Sequence, residues 1–269
     1  MKSYIDQLVN AGIEESEAKK EISILKSEIK DEEKIKKFID ERIKTRIPVQ
    51  YLIGKAYFMD FEVKVNPKVL IPRPETEILV EEIVRRGKSR LAPTTAIDIG
   101  TGSGIIAIAM AKLIPDIKIT AIDIDKEIID IASENAKLNN VENKINFKVC
   151  DVFSKCFEGL LQSQKFDLII SNPPYVKPDE LQKLKPEVYA HEPKIALSGS
   201  KENKTGLIYY ERIINLCKGL INQTPKMIAF EIDSPLVNDL KSLLKKNGLN
   251  NFEIVKDYSK LDRCLFVFI

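Results

Sequence analysis

The stretch TAIDIGTGSGIIAIAMAKLI, residues 95–114, decides the fold. Its first five residues are mostly apolar and read as a short buried strand. Gly100, Gly102 and Gly104 then crowd into a tight turn, and the apolar run behind them reads as a helix. Glycine lets a backbone bend sharply and approach a ligand closely, and a helix N-terminus offers unpaired N–H groups to a negatively charged group. By itself this spacing suits a plain packing turn as well, so its neighbours must decide.

Outward from that stretch the strand, turn and helix rhythm continues. KITAIDID (118–125) is a strand and KEIIDIASENAKLNN (126–140) a helix, and INFKVCD (145–151) and FDLIISN (166–172) are further strands. GLIYYERIINLCKGL (206–220) is a helix, PKMIAFEI (225–232) a strand and PLVNDLKSLLKKNG (235–248) a helix. NFEIVKDY (251–258) and RCLFVFI (263–269) end the chain as an antiparallel pair. Such alternation, beginning after Pro93, predicts an α/β fold with a doubly wound, seven-stranded, mostly parallel, Rossmann-like sheet.

Ahead of it, from Ser3 to about Ile47, apolar residues recur at helical spacing, as in Ile22, Leu25 and Ile29 and again in Ile35, Phe38, Ile39 and Ile43. Residues 1–49 are therefore expected to form a small helical bundle. VQYLIG and KAYFMDFEVKV suggest a β-hairpin around Gly54, and Pro72 and Pro74 precede a helix from about Glu75, which makes residues 50–75 a connector and 76–269 the sheet domain.

Forty-two basic residues against forty acidic ones leave a net charge of +2, and no basic stripe stands out, which argues against stable nucleic-acid binding. The opening MKSYIDQLVN lacks the apolar core of a signal peptide, and no stretch is long and apolar enough to span a bilayer, so the expected setting is cytoplasmic. Four cysteines without a CxxC pair read as free thiols. A single histidine, His191, reads as a loop hydrogen-bonder and leaves no basis for a metal site or a Ser-His-Asp triad.

Asp123 ends the second strand at the crevice where the glycine turn lies, placed to accept from both hydroxyls of a ribose; Asp125, nearer the loop, is the weaker candidate. Asp151 ends the third strand at the same edge. These acids describe a pocket for an adenosine-containing cofactor, with a nicotinamide dinucleotide and S-adenosylmethionine both open.

The fourth strand ends in SNPPYV, Ser171 to Val176. Two prolines cannot donate backbone hydrogen bonds, so the carbonyls of Asn172 and Pro173 stay available as acceptors. An amide nitrogen is a poor nucleophile because its lone pair is delocalised. The Asn172 side-chain oxygen and the Pro173 carbonyl, gripping the hydrogens of an NH2 group beside the flat face of Tyr175, would aim that nitrogen at an electrophilic methyl group.

DIGTGSG, the Asp123 strand and NPPY resemble class I S-adenosylmethionine-dependent methyltransferases. Adding RIPVQYLIG, LIPRPETE, HEPKIALSG and GLIYYERI, nearly the whole chain resembles the release factor glutamine methyltransferases (the HemK/PrmC family). The resemblance implies methylation of the glutamine side-chain nitrogen (N5) in the GGQ motif of peptide chain release factors, by direct in-line transfer and without a metal. It implies a cofactor site at Gly100, Thr101, Gly102, Ser103, Gly104, Asp123, Asp151, Val152 and Asn172. Asn172, Pro173, Pro174 and Tyr175 would hold the glutamine amide, with Arg73, Glu75 and Thr76 bordering it. Residues 1–49 would help to recognise the release factor, met transiently by a monomer.

Three positions depart from the family pattern. Val152 stands where relatives often carry tryptophan, which leaves any adenine stacking weaker or borrowed from Phe153. EIDSPL from Glu231 puts Asp233 in place of a glycine, and DYSKLDR from Asp257 puts Lys260 in place of another. The alternatives are the same chemistry on a ribosomal-protein glutamine or on adenine N6 in nucleic acid, and, further off, a nicotinamide-dependent oxidoreductase.

Overall fold

The computed structural model describes residues 2–87, 94–218 and 225–269. Pro93 and the last two residues of the GLIYYERIINLCKGL helix, Gly219 and Leu220, lie outside the described residues.

Residues 2–45 carry three helices, α1 (Lys2–Asn10), α2 (Glu15–Glu28) and α3 (Glu32–Thr45). Leu8, Ile22, Leu25, Ile35 and Ile39 meet in a core of their own, as the helical spacing predicts. Asp31 caps α3 by accepting from the backbone N–H of Glu33 at 3.0 Å. The expected hairpin is present with a different turn. VQYLI is a short helix, α4 (Val49–Ile53), and Gly54 is its left-handed cap with φ 75°. The strands are β1 (Lys55–Phe58) and β2 (Phe61–Lys64), and they reverse at Met59 and Asp60.

Helix α5 (Pro74–Arg86) starts on proline with Glu75 and Glu77 in its first turn. Then come β3 (Thr95–Ile99), α6 (Ile105–Leu113), β4 (Lys118–Asp123), α7 (Lys126–Leu138), β5 (Ile145–Val149), α8 (Lys155–Ser163) and β6 (Leu168–Ser171). Two short helices follow, α9 (Pro186–His191) and α10 (Lys194–Ser198). α11 (Ile208–Lys218), β7 (Met227–Glu231), α12 (Val237–Lys246), β8 (Phe252–Lys256) and β9 (Asp262–Phe268) complete the chain. The sequence reading passed over α8, α9 and α10. α8 was recoverable, since parallel strands need a crossover and Phe157, Leu160 and Leu161 form its buried face.

The seven strands lie in the order β5-β4-β3-β6-β7-β9-β8. The first five are parallel, and β9 runs antiparallel between β7 and the edge strand β8. One apolar layer joins the sheet to α5, α6, α7 and the hairpin, and a second joins it to α8, α11 and α12. The chain reverses its direction of travel across the sheet between β3 and β6, so their carboxyl ends open side by side. Ligands of doubly wound sheets bind in that crevice.

Candidate active site

At this crevice lies a cleft of about 1090 Å³, counted out to its open mouth. Gly100, Thr101, Gly102 and Ser103 line it from behind β3, Asp123 from β4, and Asp151 and Val152 from behind β5. Asn172, Pro173 and Pro174 line it from behind β6, and Arg73 and Thr76 from the start of α5. Gly104, Glu75 and Tyr175, expected here from the sequence, lie outside this lining.

Gly100, Gly102 and Gly104 all have positive φ, at 72°, 55° and 87°. At Gly100 and Gly102 an added Cβ would meet nothing within 4 Å, so these residues leave space beside the backbone. At Gly104 it would come within 3.2 Å of the Ala132 Cβ, which gives this glycine a different task, the close approach of α6 to α7. The backbone N–H of Gly102 donates to Asp123 Oδ2 at 2.9 Å, and Ile124 N–H donates to Oδ1 at 2.8 Å. The turn and the second strand end are thus tied into one surface. A carboxylate has about four lone-pair sites, so Asp123 keeps acceptor capacity toward the cleft. Asp125 instead caps α7, accepting from Glu127 N–H at 2.8 Å.

Burial pushes the Asp98 carboxyl up to about 7, although Thr101 Oγ1 donates to its Oδ2 at 2.7 Å. Burial likewise raises Asp123. At the end of β7, burial pushes Glu231 up to about 7 while its Oε2 accepts from Thr76 Oγ1 at 2.6 Å.

The acceptor turn after β6 is pinned from residues the sequence reading did not single out. Asn203, fully buried, donates through Nδ2 to the carbonyls of Pro174 and Ser198, both at 3.0 Å. Gly206 has φ 76°, and a Cβ there would stand 2.6 Å from the Tyr175 carbonyl oxygen. Val176 N–H donates to the Leu197 carbonyl at 3.0 Å. Among the described residues no donor reaches the Asn172 side chain or the Pro173 carbonyl. Tyr175 is half-buried against the second apolar layer, and burial raises its hydroxyl pKa, with the charges of Glu231 and then Asp233 adding to the rise.

Glu77 and Arg73 of the LIPRPETE stretch have separate partners. Glu77 accepts from Met59 N–H at 2.7 Å and so holds the hairpin turn; Arg73 pairs with the buried Glu192 at 2.5 Å. Beside Val152, the aromatic ring on the cleft is Tyr209 rather than Phe153. Phe153 is exposed and meets Tyr209 edge-on, with centroids 5.2 Å apart. Tyr209 lies in the quoted GLIYYERI motif, which was the available signal for it. Among the described residues no group of three or more His, Cys, Asp or Glu side chains is placed to hold a metal ion.

A glycine turn, an acid at the next strand end and an acceptor turn on one Rossmann-like sheet together define a class I methyltransferase. The methyltransferase small domain family matches residues 74–190. A release factor glutamine methyltransferase of Thermodesulfovibrio yellowstonii is 40% identical over 87% of this chain and 80% of its own. One of Fusobacterium nucleatum is 39% identical over 88% of this chain and 65% of its own longer chain. The N-terminal domain of human METTL16, solved in complex with SAH, shares the fold at a TM-score of 0.55 with 15% identity, over 86% of this chain and 78% of that one. The chain belongs to the release factor glutamine methyltransferases. Among the described residues no helix is long and apolar enough to cross a membrane.

Proposed function

We propose that the chain methylates the side-chain nitrogen (N5) of the glutamine in the GGQ motif of peptide chain release factors, with S-adenosylmethionine as donor. The observation that carries this reading is Asn172, at the carboxyl end of β6, facing a cleft it shares with the glycine turn and Asp123. The names of the relatives support the same substrate.

The lining fits the cofactor. Gly100 and Gly102 leave room beside the backbone for its methionine part, Asp123 has lone pairs for its ribose hydroxyls, and Asp151, Val152 and Tyr209 flank the place for its adenine. Bound there, S-adenosylmethionine supplies an electrophilic methyl group on a sulfonium centre.

The chain's own residues prepare the nitrogen. Asn172 Oδ1 and the Pro173 carbonyl accept the two amide hydrogens, which fixes the NH2 plane and points its lone pair into the cleft. Neither acceptor titrates, and none needs to: the amide nitrogen becomes acidic only as its new bond to carbon forms, and the proton it then sheds passes to solvent at the open mouth of the cleft. Pro173 and Pro174 keep this backbone extended, and Asn203 and Gly206 hold the turn from behind. Tyr175, outside the lining and packed against the second apolar layer, anchors the end of the turn, and burial raises its hydroxyl so that it stays protonated.

The test is incubation with radiolabelled S-adenosylmethionine and a release factor, a GGQ-to-GGA variant of it, a ribosomal protein fraction and DNA. Label in the intact release factor alone is expected. Label in DNA or in the ribosomal fraction with none in the release factor would sink the assignment.

A further inference from the structure

We infer that the helical domain positions the acceptor turn, through a buried ion cluster in which Arg42 and Glu187 are positioning residues. The inference rests on the reading of Asn172 to Tyr175 as the amide-holding turn.

The segment after that turn, residues 177–199, leaves the cleft, reaches the helical bundle through α9 and returns through α10. Its return is fixed at the turn itself, where Val176 N–H donates to the Leu197 carbonyl at 3.0 Å, and its Ile195 and Ala196 line the cleft. Its far end is fixed by α3. Arg42 Nη2 donates to Glu187 Oε1 at 3.1 Å, and Arg46 Nη2 to the same oxygen at 2.7 Å. Glu21 of α2 completes the group, accepting from Arg42 Nε at 3.0 Å. At the edge of the cluster His191 Nε2 lies 2.7 Å from the Thr45 carbonyl oxygen.

The side chains of Arg42, Glu21 and Glu187 are 2%, 7% and 7% exposed. Removing such charges from water is expensive, and well-packed apolar residues of the same volume hold two elements together as well or better. What an apolar contact lacks is direction. Charge-assisted hydrogen bonds accept one register only, and a slide of α9 along α3 by one residue would leave a buried carboxylate unpaired. The cluster therefore sets where α9 sits. Because the segment is pinned at α9 and again at Leu197, it also sets where Ile195, Ala196 and Val176 sit.

The experiment uses the full chain with Glu187→Gln, which keeps the shape and removes the charge, and the milder His191→Ala at the same junction. Amide exchange read without substrate is expected to quicken across 177–199 by at least tenfold in Glu187→Gln and by less in His191→Ala, with β3 and β4 unchanged. In the folded fraction kcat for release factor methylation is expected to fall about tenfold, with affinity for S-adenosylhomocysteine within twofold of wild type. A junction that only stabilises would lower the melting temperature and leave kcat alone. Unchanged exchange in 177–199 for both variants, or quickened exchange with unchanged kcat, overturns the inference. Wild-type inactivity toward a release factor would overturn the functional reading, while the exchange result, needing no substrate, still decides whether the cluster holds the segment.

Discussion

Two turns leave neighbouring strands of one sheet, and they offer a ligand different things, open space at one and bare acceptors at the other. After β3, Gly100 to Gly104 bends into positive φ, spends the N–H groups of Gly100, Thr101 and Gly104 on backbone carbonyls and that of Gly102 on Asp123, and leaves open space beside Gly100 and Gly102. After β6, Pro173 and Pro174 have no N–H groups at all, and the Pro173 carbonyl and the Asn172 side chain are left to accept. Open space beside the Asp123 carboxylate suits a bulky, hydroxyl-bearing ligand, while bare carbonyl acceptors suit an NH2 group. The chain thus separates its two ligands by the local conformation of two turns, glycine on one side and proline on the other. Each turn is also backed by a buried acid, Asp98 bonded to Thr101 and Glu231 bonded to Thr76.

The largest effect should come from breaking the acceptor side alone. Asn172→Ala removes one of two acceptors and is expected to lower kcat by about 10³-fold, roughly 4 kcal/mol. Affinity for S-adenosylhomocysteine should stay within about tenfold, or 1.4 kcal/mol, because the glycine turn and Asp123 are untouched. Calorimetric titration beside the labelling assay separates the two. Turnover within a few fold of wild type would mean that Asn172 does not grip the amide.

The acids behind the turns give a smaller, pH-dependent effect. Glu231, raised from 4.5 to about 7, holds a proton in the folded chain that the unfolded chain has already lost in that interval. The folded state then binds more protons, so its contribution to stability is full below about pH 4.5 and is lost as pH rises through about 7. Glu231→Gln stays neutral throughout. It is expected to match wild type near pH 4 and to exceed it by roughly 3 kcal/mol near pH 8 in urea denaturation. Asp98 leaves a remaining slope of the same sign. Two parallel stability curves would show that Glu231 is charged in the folded state.

Both turns were legible in the sequence because each is a local device, glycines for positive φ and prolines for missing donors. The parallel sheet was legible for the same reason, from its strand and helix rhythm. What was hidden is long-range. Nothing in the polar run around Asn203 announces a fully buried side chain pinning Pro174, and nothing in RIPVQYLIG separates a short helix from a strand until Gly54 is seen to cap it. Lys260 looked like damage to a turn. It keeps the left-handed φ of 64°, and Asp257 still pairs with Arg263 at 3.2 Å, so the turn survives with a strained lysine.

The smallest effect tests what a glycine is for. Gly100 and Gly199 both have positive φ, 72° and 68°, and alanine strains the backbone at each, with the further penalty at Gly199 that its ψ of −112° lies outside the left-handed helical well. Their surroundings differ. Beside Gly100 a methyl group meets nothing within 4 Å, whereas at Gly199 it would stand 2.0 Å from the Tyr209 hydroxyl oxygen. Gly199→Ala must therefore push the Tyr209 ring off its seat, and that ring lines the cleft beside the small Val152. If Tyr209 is the aromatic wall for adenine, Gly199→Ala and Tyr209→Leu should each weaken S-adenosylhomocysteine binding about tenfold, 1.4 kcal/mol, and should not add when combined. Tyr209→Phe should bind like wild type, since the ring face and its edge contact with Phe153 are kept. Full additivity in the double variant would put the two residues on independent paths to the ligand, and the glycine would then serve its loop alone.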